Sequence, residues 1–308
     1  MRACVSVIVI TRNAPRSTER CLGSLLFCQD ALAARGEDVE FVLADDCSLE
    51  ATDPSPQFTA FRKSAHWPVT ALRFRTRQHY TASMAYCMSL ARGDILFVSH
   101  DMMLTPDCMT ELFALAEAEP TFGVFRPRSA HMDFAHKMEL APSHSIETVE
   151  EAAEFASEVR QQFAGQVTGW PALIGDALFI RRSVIERIGV FDRRFYGFWS
   201  DLDYGVRVQR AGWRHGIAAG AWLHHSGSAS GLENWPTGEI AEQNHREMLR
   251  DSNAAYDVFR QKWGDHLLPP RMEDLTAAHY RALRSATRSV GSDYQAPITM
   301  PDGLAEFL

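Results

Sequence analysis

Short apolar runs alternate with longer amphipathic segments over the first hundred residues. The runs are rich in β-branched and aromatic residues, as buried strands usually are. They occupy residues 5–10, 39–44, 71–74 and 94–98. The segments between them can supply helices, and the clearest covers residues 81–92 ahead of Gly93, since glycine commonly ends a helix. This alternation predicts an α/β fold, with a mainly parallel sheet covered by helices on both faces.

Longer helical patterns mark the second half of the chain. Apolar positions recur at helical spacing over residues 145–165, as in an amphipathic helix. The expected elements are this helix with Ser145 as its cap, a strand over 177–180, a helix over 183–189, a strand that leads into His224 and His225, and a long helix over 242–265. The pattern predicts a domain over residues 1–235 and a helical C-terminal extension over 236–308.

Acidic residues follow two of the predicted strands at the point where each strand ends. Asp45 and Asp46 come directly after strand 39–44, and His100 and Asp101 follow the fourth strand. Ligands of open parallel sheets bind outside the carboxyl ends of the strands, so these side chains are expected to face one crevice. Asx turns alone would explain either acid, but acids at two strand ends on the same edge favour a binding site.

Composition narrows the class of protein. A formal net charge of −8 and a pI near 5.8 argue against nucleic acid as the main partner, because polyphosphate binding requires dense Lys and Arg. The six cysteines form no CxxC pair and are expected to be reduced thiols. The chain has no apolar run long enough for a signal sequence or a membrane span, which predicts a cytoplasmic protein.

Glycine-rich phosphate loops are missing after the first strand, where the chain reads "TRNAPRS". The absence of G-x-G-x-x-G and Walker A patterns disfavours dinucleotide dehydrogenases and P-loop enzymes. A ligand that carries phosphate would therefore need a metal ion or basic side chains.

The order of these motifs resembles that of family 2 glycosyltransferases of the GT-A fold, over roughly residues 4–265. The similar segments are "SVIVITRN", "VLADDCSLEAT", "ARGDILFVSHDMMLTPD", "GDALFIRRSVIERIGVFDRRF", "FWSDLDYGVRVQRAGW", "WLHHSGS" and "NAAYDVFRQKWGD". The resemblance implies sugar transfer, usually with inversion, from a nucleotide-sugar donor to a hydroxyl of a glycan, glycolipid or glycoprotein. UDP-sugars are the favoured donors, and peripheral membrane contact and a homodimer are left open.

The resemblance also implies a divalent cation, Mn²⁺ or Mg²⁺, because the leaving diphosphate needs positive charge. Asp101 is the expected carboxylate ligand, with His225 preferred over His224 as the imidazole and His100 in the same turn. The family's metal turn often carries two acidic or amide residues, whereas Asp101 is the one carboxylate here.

Further residues are assigned to the donor by the same resemblance. Asp46 is expected to bind the nucleoside, with Asp45 either beside it or orienting the turn. Thr11 and Arg12 are expected to contact the nucleotide, and Arg77 either contacts a phosphate or forms a surface ion pair. Asp176 either contacts the donor sugar or belongs to a turn. Trp199, Phe198 and Trp170 either form an apolar platform for a sugar ring or belong to the core.

Two aspartates begin the segment 200–213. Ser200 and Asp203 fit the [ST]-x-x-[DE] capping signature, and Asp203 can also pair with Arg207. Asp203 is in addition a candidate for binding the donor. In the family a Glu-Asp pair at this place supplies the base that deprotonates the acceptor hydroxyl. Ser200 replaces the Glu here, which leaves Asp201 as the expected general base.

Two other classes remain as alternatives. One is a glycosyltransferase-like protein that binds nucleotide or glycan without turnover, favoured by the reduced metal turn and by Ser200. The other is a nucleotidyltransferase, disfavoured because a Gly-rich, basic N-terminal loop is absent.

Overall fold

A computed structural model describes residues 4–132, 135–173, 175–195, 197, 199–225, 239–285 and 304–308, with side chains left out for 239–248 and 284–285. The strands are β1 Val5–Thr11, β2 Val39–Asp45, β3 Val69–Phe74, β4 Asp94–Ser99, β5 Met102–Met103, β6 Phe122–Arg128, β7 Val167–Gly169, β8 Ala177–Ile180, β9 Arg214–Trp222, β10 His224–His225 and β11 Ala305–Phe307. The helices are α1 Pro15–Ala34, α2 Ser55–Ser64, α3 His79–Leu90, α4 Pro106–Ala118, α5 Val149–Phe163, α6 Arg182–Ile188, α7 Ser200–Arg210, α8 Glu239–Trp263 and α9 Ala277–Ser285.

The central sheet is mainly parallel, as predicted. Its strand order is β11-β3-β2-β1-β4-β8-β6-β9-β7, and β5 and β10 form a separate antiparallel pair. Strands β1 to β4 run parallel, β6 and β9 run parallel to each other, and β8 lies antiparallel between β4 and β6. The carboxyl ends of six strands therefore meet at one edge, which is where ligands of such sheets bind.

Both faces of the sheet are covered, which explains why its strands are almost continuously apolar. Along β1, Val7 packs into one apolar cluster and its neighbour Ile8 into the other, because successive side chains of a strand point to opposite faces. The first cluster contains side chains of α1, α2 and α4, and the second contains side chains of α3, α6 and α7.

Two predicted helix ends were misplaced. Helix α3 already ends at Leu90, and Gly93 has a different role, because a Cβ there would lie 1.7 Å from the Cys4 carbonyl oxygen. Helix α5 begins after Thr148, which forms a reciprocal capping box with Glu151, so Ser145 is not its cap.

The C-terminal segment packs against the sheet domain. The long helix predicted over 242–265 is confirmed as α8. Its apolar side chains, with those that follow it, form a cluster with Phe195 and Val206, and β11 pairs with β3 at the sheet edge. The predicted boundary at 235 lies outside the described residues. No helix in the part of the chain that the structure describes is long and apolar enough to cross a membrane.

Candidate active site

A line of contacts connects Asp101, Asp176 and Asp201 at the carboxyl edge of the sheet. Asp101 Oδ2 lies 3.4 Å from His225 Nε2, and His225 Nδ1 lies 3.8 Å from Asp176 Oδ2. Next to Asp176, the backbone N–H of Gly175 donates to Asp201 Oδ2 at 3.0 Å. Residues more than a hundred positions apart in the sequence thus form one continuous polar group.

The β5–β10 pair decides which histidine faces Asp101. His225 pairs with Met102 and His224 with Met103, and successive side chains of a strand point to opposite sides. The ring of His225 therefore lies against Asp101, whereas the ring of His224 lies 6.2 Å from that of Trp222.

The electrostatics of the two histidines differ accordingly. Burial alone would lower the pKa of His225, but the carboxylates of Asp101 and Asp176 raise it above its ordinary value. Burial and the positive charge of Arg20 lower the pKa of His224 to about 4. Burial alone would raise the pKa of Asp101, yet the hydrogen bond from His225 and the positive charges of His100 and His225 lower it to about 2.

Asp101 and His225 fit a cation that is shared with a substrate. Asp101 Oδ1 is buried and has no hydrogen-bond partner within the described ranges, so one carboxylate oxygen is available for a ligand. Among the same residues, no group of three or more His, Cys, Asp or Glu side chains is arranged to hold a metal ion. Such a pair suits Mg²⁺ or Mn²⁺, since these ions are often held by one or two protein ligands together with substrate phosphates.

Asp45 and Asp46 stabilise the backbone at the end of β2. Asp45 is fully buried, accepts hydrogen bonds from the N–H and hydroxyl of Ser48, and pairs with Arg73 at 3.2 Å. It therefore orients the turn, one of the two roles considered for it. Asp46 accepts the N–H groups of Gln78 at 2.6 Å and His79 at 2.9 Å, so it holds the start of α3 against the sheet edge.

The other nucleotide candidates lie around the end of β1. The Thr11 hydroxyl is buried against that of Thr18 at 2.6 Å. His100 Nδ1 lies 3.3 Å from the carbonyl oxygen of Ile10. Arg12 is half-buried, and its Nε has no hydrogen-bond partner in the described structure, whereas Arg77 is exposed.

Arg126 contacts the candidate site and was missed by the sequence interpretation. It is 2% exposed on β6, and its Nε donates to Asp176 Oδ1 at 2.8 Å. A second guanidinium nitrogen contacts Asp176 Oδ2, and the same fork reaches the carbonyl oxygens of Pro127 and His131. Arginine forks match carboxylates in this bidentate way. An arginine within the apolar run "FGVFRPR" was the available signal, because a buried guanidinium needs a carboxylate partner.

Helix α7 begins differently from the prediction. Its N-cap is Trp199 in the left-handed conformation, at φ +68, with no side-chain cap. Ser200 is the first helical residue, and its hydroxyl accepts a hydrogen bond from Thr81 at 3.0 Å. The predicted capping box was therefore wrong.

Asp201 lies in the first turn of α7, close to Gly175. Its Oδ1 accepts the N–H of Leu202 at 2.9 Å, and Tyr80 donates to the Gly175 carbonyl at 2.7 Å. A Cβ at Gly175 would lie 2.6 Å from Tyr80 Oη and 3.0 Å from Asp201 Cβ, so only glycine allows this approach. Burial raises the pKa of Asp201 to about 6 against the opposing effect of its backbone hydrogen bonds. A carboxylate in this range suits a general base near neutral pH.

This pKa has a consequence for stability. The folded protein holds the Asp201 proton more tightly than the unfolded chain does, so ionisation weakens the fold as pH rises from 3.8 to about 6. We expect Asp201→Asn to raise the free energy of unfolding by on the order of 1 kcal/mol above about pH 7, with no gain below about pH 4. Denaturant unfolding at the two pH values checks this, and an equal effect at both would contradict it.

Three other residues that were predicted to bind the donor do not belong to this line of contacts. Asp203 is fully buried, and its predicted pair with Arg207 is confirmed at 3.0 Å, so its carboxylate faces the protein interior rather than a ligand. Trp199 packs on Tyr256 with ring centroids 4.8 Å apart. Trp170 lines a cavity of about 510 Å³ beside Gln209, at the far end of α7. These tryptophans do not form a common platform, and Phe198 lies outside the described residues.

Comparison with known proteins gives a family match over most of the chain. The family model described as Glycosyl transferase family 2 matches residues 6–189. A stretch of 66 residues is 38% identical to N-acetylglucosaminyl-diphospho-decaprenol L-rhamnosyltransferase of Mycobacterium tuberculosis, and covers 21% of this chain and 21% of that protein. The match to this relative thus spans about a fifth of its length.

Solved structures share the fold. S. aureus TarS 1-349 aligns over 91% of this chain and 81% of its own, with a TM-score of 0.51 and 14% identity. The mannosyltransferase PcManGT from Pyrobaculum calidifontis, in complex with GDP-Man and Mn²⁺, aligns over 92% and 86%, with a TM-score of 0.52 and 15% identity. A TarS 1-349 structure in complex with UDP-GlcNAc aligns over 91% and 70%, with a TM-score of 0.51 and 15% identity. At these identities the likeness concerns the fold alone.

Proposed function

Because the chain belongs to glycosyl transferase family 2, we propose that it moves a sugar from a nucleotide-sugar donor to an acceptor hydroxyl, with inversion at the anomeric carbon. The observation that carries this proposal is the line of contacts from Asp101 through His225 and Asp176 to Asp201. These contacts bring Asp101 and His225, whose side chains are of types that can bind a metal ion, to the same sheet edge as Asp201, a separate carboxylate of raised pKa.

Asp201 is the proposed general base. Its carboxylate takes the proton of the acceptor hydroxyl as that oxygen attacks the anomeric carbon, and the bond from this carbon to the diphosphate breaks on the opposite face. With a pKa of about 6, Asp201 is largely ionised at neutral pH and still basic enough to accept a proton.

Asp101 and His225 are the proposed holders of Mn²⁺ or Mg²⁺. When bound, the cation supplies positive charge to the leaving diphosphate. Asp101 stays ionised across the physiological range because its pKa is about 2. Arg126 holds Asp176 beside these residues, where its carboxylate is proposed to contact the donor sugar.

The nucleotide is proposed to lie near Thr11, Arg12, Asp45 and Asp46, with Arg77 close to a phosphate. A UDP-sugar remains the favoured donor, supported by the UDP-GlcNAc complex of the TarS structure. The name of the Mycobacterium relative supports a lipid-linked diphosphate glycan as acceptor, which would bring the protein to a membrane surface. A cytoplasmic location and a homodimer stay predictions.

A panel of nucleotide-sugars with Mn²⁺ tests the function. We expect one donor to raise the melting temperature, because a ligand that binds only the folded state stabilises it by about 2.7 kcal/mol at a hundred times its Kd. The same donor should release free nucleotide when an acceptor glycan is added. No stabilisation by any nucleotide-sugar, with or without Mn²⁺, would contradict the proposal.

A binding protein without turnover is the second candidate. It is favoured by Ser200 in place of the family's Glu and by the one carboxylate of the metal turn. Donor-dependent stabilisation without nucleotide release, across lipid-linked, polysaccharide and peptide acceptors, would support it over the enzyme.

A further inference from the structure

We propose that Lys262 is a positioning residue for Asp201, holding the first turn of α7 against the C-terminal helix α8. The inference rests on the proposed role of Asp201 as base. It adds that the C-terminal segment is needed for the geometry of a site formed by residues far earlier in the chain.

The Lys262 ammonium lies in a buried ionic cluster. Its side chain is 1% exposed, and Nζ lies 2.6 Å from Asp203 Oδ1 and 2.8 Å from Asp192 Oδ2. The neighbouring Trp263 donates its indole N–H to the same Asp203 oxygen at 3.0 Å. Two consecutive residues of α8 thus bind one carboxylate of α7, two positions after Asp201.

The cluster fixes the orientation of α7. Asp203 Oδ2 accepts from Arg207 at 3.0 Å, so both of its oxygens are engaged and the side chain cannot rotate freely. Residues two apart on a helix do not face each other, so Asp203 is anchored on one side of α7 while Asp201 points to Gly175 on the other. An apolar contact between α7 and α8 would bury the same surface at a lower desolvation cost. Ion pairs with short, directional bonds, however, hold the two helices in one relative position.

The residue before α7 is held by the same helix. Trp199 takes a left-handed backbone conformation at φ +68, which is strained for a residue with a side chain. Its indole N–H donates to the Ser252 carbonyl at 3.1 Å, and its ring packs on Tyr256 and Phe259. Helix α8 therefore contacts both sides of Asp201 in the sequence, at 199 and at 203.

We call the contacts of α8 with Trp199 and Asp203 the clamp. Lys262→Met tests it. Each aspartate keeps an arginine partner, Arg207 at 3.0 Å for Asp203 and Arg194 at 2.6 Å for Asp192, so the variant is expected to fold. We expect kcat to fall 10- to 100-fold while the donor KM stays within about twofold, because the base loses its position and the donor site is untouched.

The pH profile separates positioning from a merely structural role. Within the described ranges, the charged and titratable groups that face Asp201 are Asp176, Tyr80 and Tyr280, and Lys262→Met alters none of them. In Lys262→Met we expect the acidic limb of the pH profile of kcat to move to lower pH. Asp201 becomes hydrated when it is held less firmly, and its pKa then loses the increase that burial causes. A loss of melting temperature and of activity with an unmoved limb would overturn the proposal.

Arg260→Met is the matched control, because Arg260 lies on the same helix and pairs with Asp257 and Asp265 in the C-terminal segment itself. It should leave kcat and the pH limb unchanged. Lys262→Arg, which keeps the charge, should recover part of the lost kcat.

Amide hydrogen exchange tests the clamp without any activity. In Lys262→Met we expect exchange at residues 199–203 to accelerate at least tenfold, with the strands unchanged. If exchange at residues 199–203 stayed unchanged, the proposed role of Lys262 would be overturned even if the enzyme were active. If the wild type transfers no sugar, the proposed function fails, while faster exchange would still support the clamp.

Discussion

Asp201→Asn is expected to lower kcat by about 10²- to 10⁴-fold, the usual contribution of a general base, while the protein still binds its donor. The amide keeps a carbonyl oxygen for the Gly175 N–H, which Asp201 Oδ2 now accepts at 3.0 Å, but it cannot take a proton from the acceptor hydroxyl. Nucleotide released in the presence of acceptor measures the loss, and thermal shift with donor measures the retained binding.

Asp257→Asn provides the control for this substitution. Asp257 is a largely exposed aspartate on α8, with its side chain 66% exposed, so its amide should leave turnover unchanged. If Asp201→Asn retained more than about a tenth of wild-type kcat, another group would have to be the base. A parallel loss of donor stabilisation would instead point to a role for Asp201 in donor binding.

Asp101→Asn is expected to raise the Mn²⁺ concentration needed for half-maximal activity by at least about 100-fold. Even the outer-shell partners of a metal ligand are typically worth 10- to 100-fold in metal affinity, and Asp101 would be a direct ligand. An amide oxygen is also neutral, so the charge that attracts the cation is lost. Activity measured across a Mn²⁺ titration at saturating donor checks this.

The two adjacent histidines supply the matched pair of controls. His225→Ala should weaken Mn²⁺ activation in the same direction as Asp101→Asn, because His225 Nε2 lies 3.4 Å from the Asp101 carboxylate. His224→Ala should leave the Mn²⁺ titration unchanged, since that ring lies on the other side of β10. Equal effects of the two alanine variants, or wild-type activity that needs neither Mn²⁺ nor Mg²⁺, would rule out the proposed metal site.

Much of the fold followed from local patterns. The four N-terminal strands were predicted to within two residues of their observed ends, because apolar runs of β-branched residues have few alternatives to a buried strand. Helix ends were less accurate where a residue had a tertiary role. Gly93 resembled a helix stop, but its place is set by the nearby Cys4 carbonyl, a contact that no local pattern encodes.

The candidate site, too, could be predicted from the sequence only in part. The acids at strand ends could be found from the sequence, since the carboxyl edge of a parallel sheet follows from strand order alone. Asp203 could not be told from a donor ligand, because its partners Lys262 and Trp263 lie some sixty positions later. Arg126 was missed for the same reason, as its partner Asp176 is fifty positions away.

The sequence by itself thus determined the α/β class, the strands and the acidic edge, since periodicity and residue type act over a few neighbouring positions. Only the tertiary structure decided that His225 rather than His224 faces Asp101, that burial brings the pKa of Asp201 to about 6, and that α8 binds Asp203, two positions after the proposed base. These properties depend on burial and on distances between groups that are remote along the chain, and both are fixed only when the elements pack.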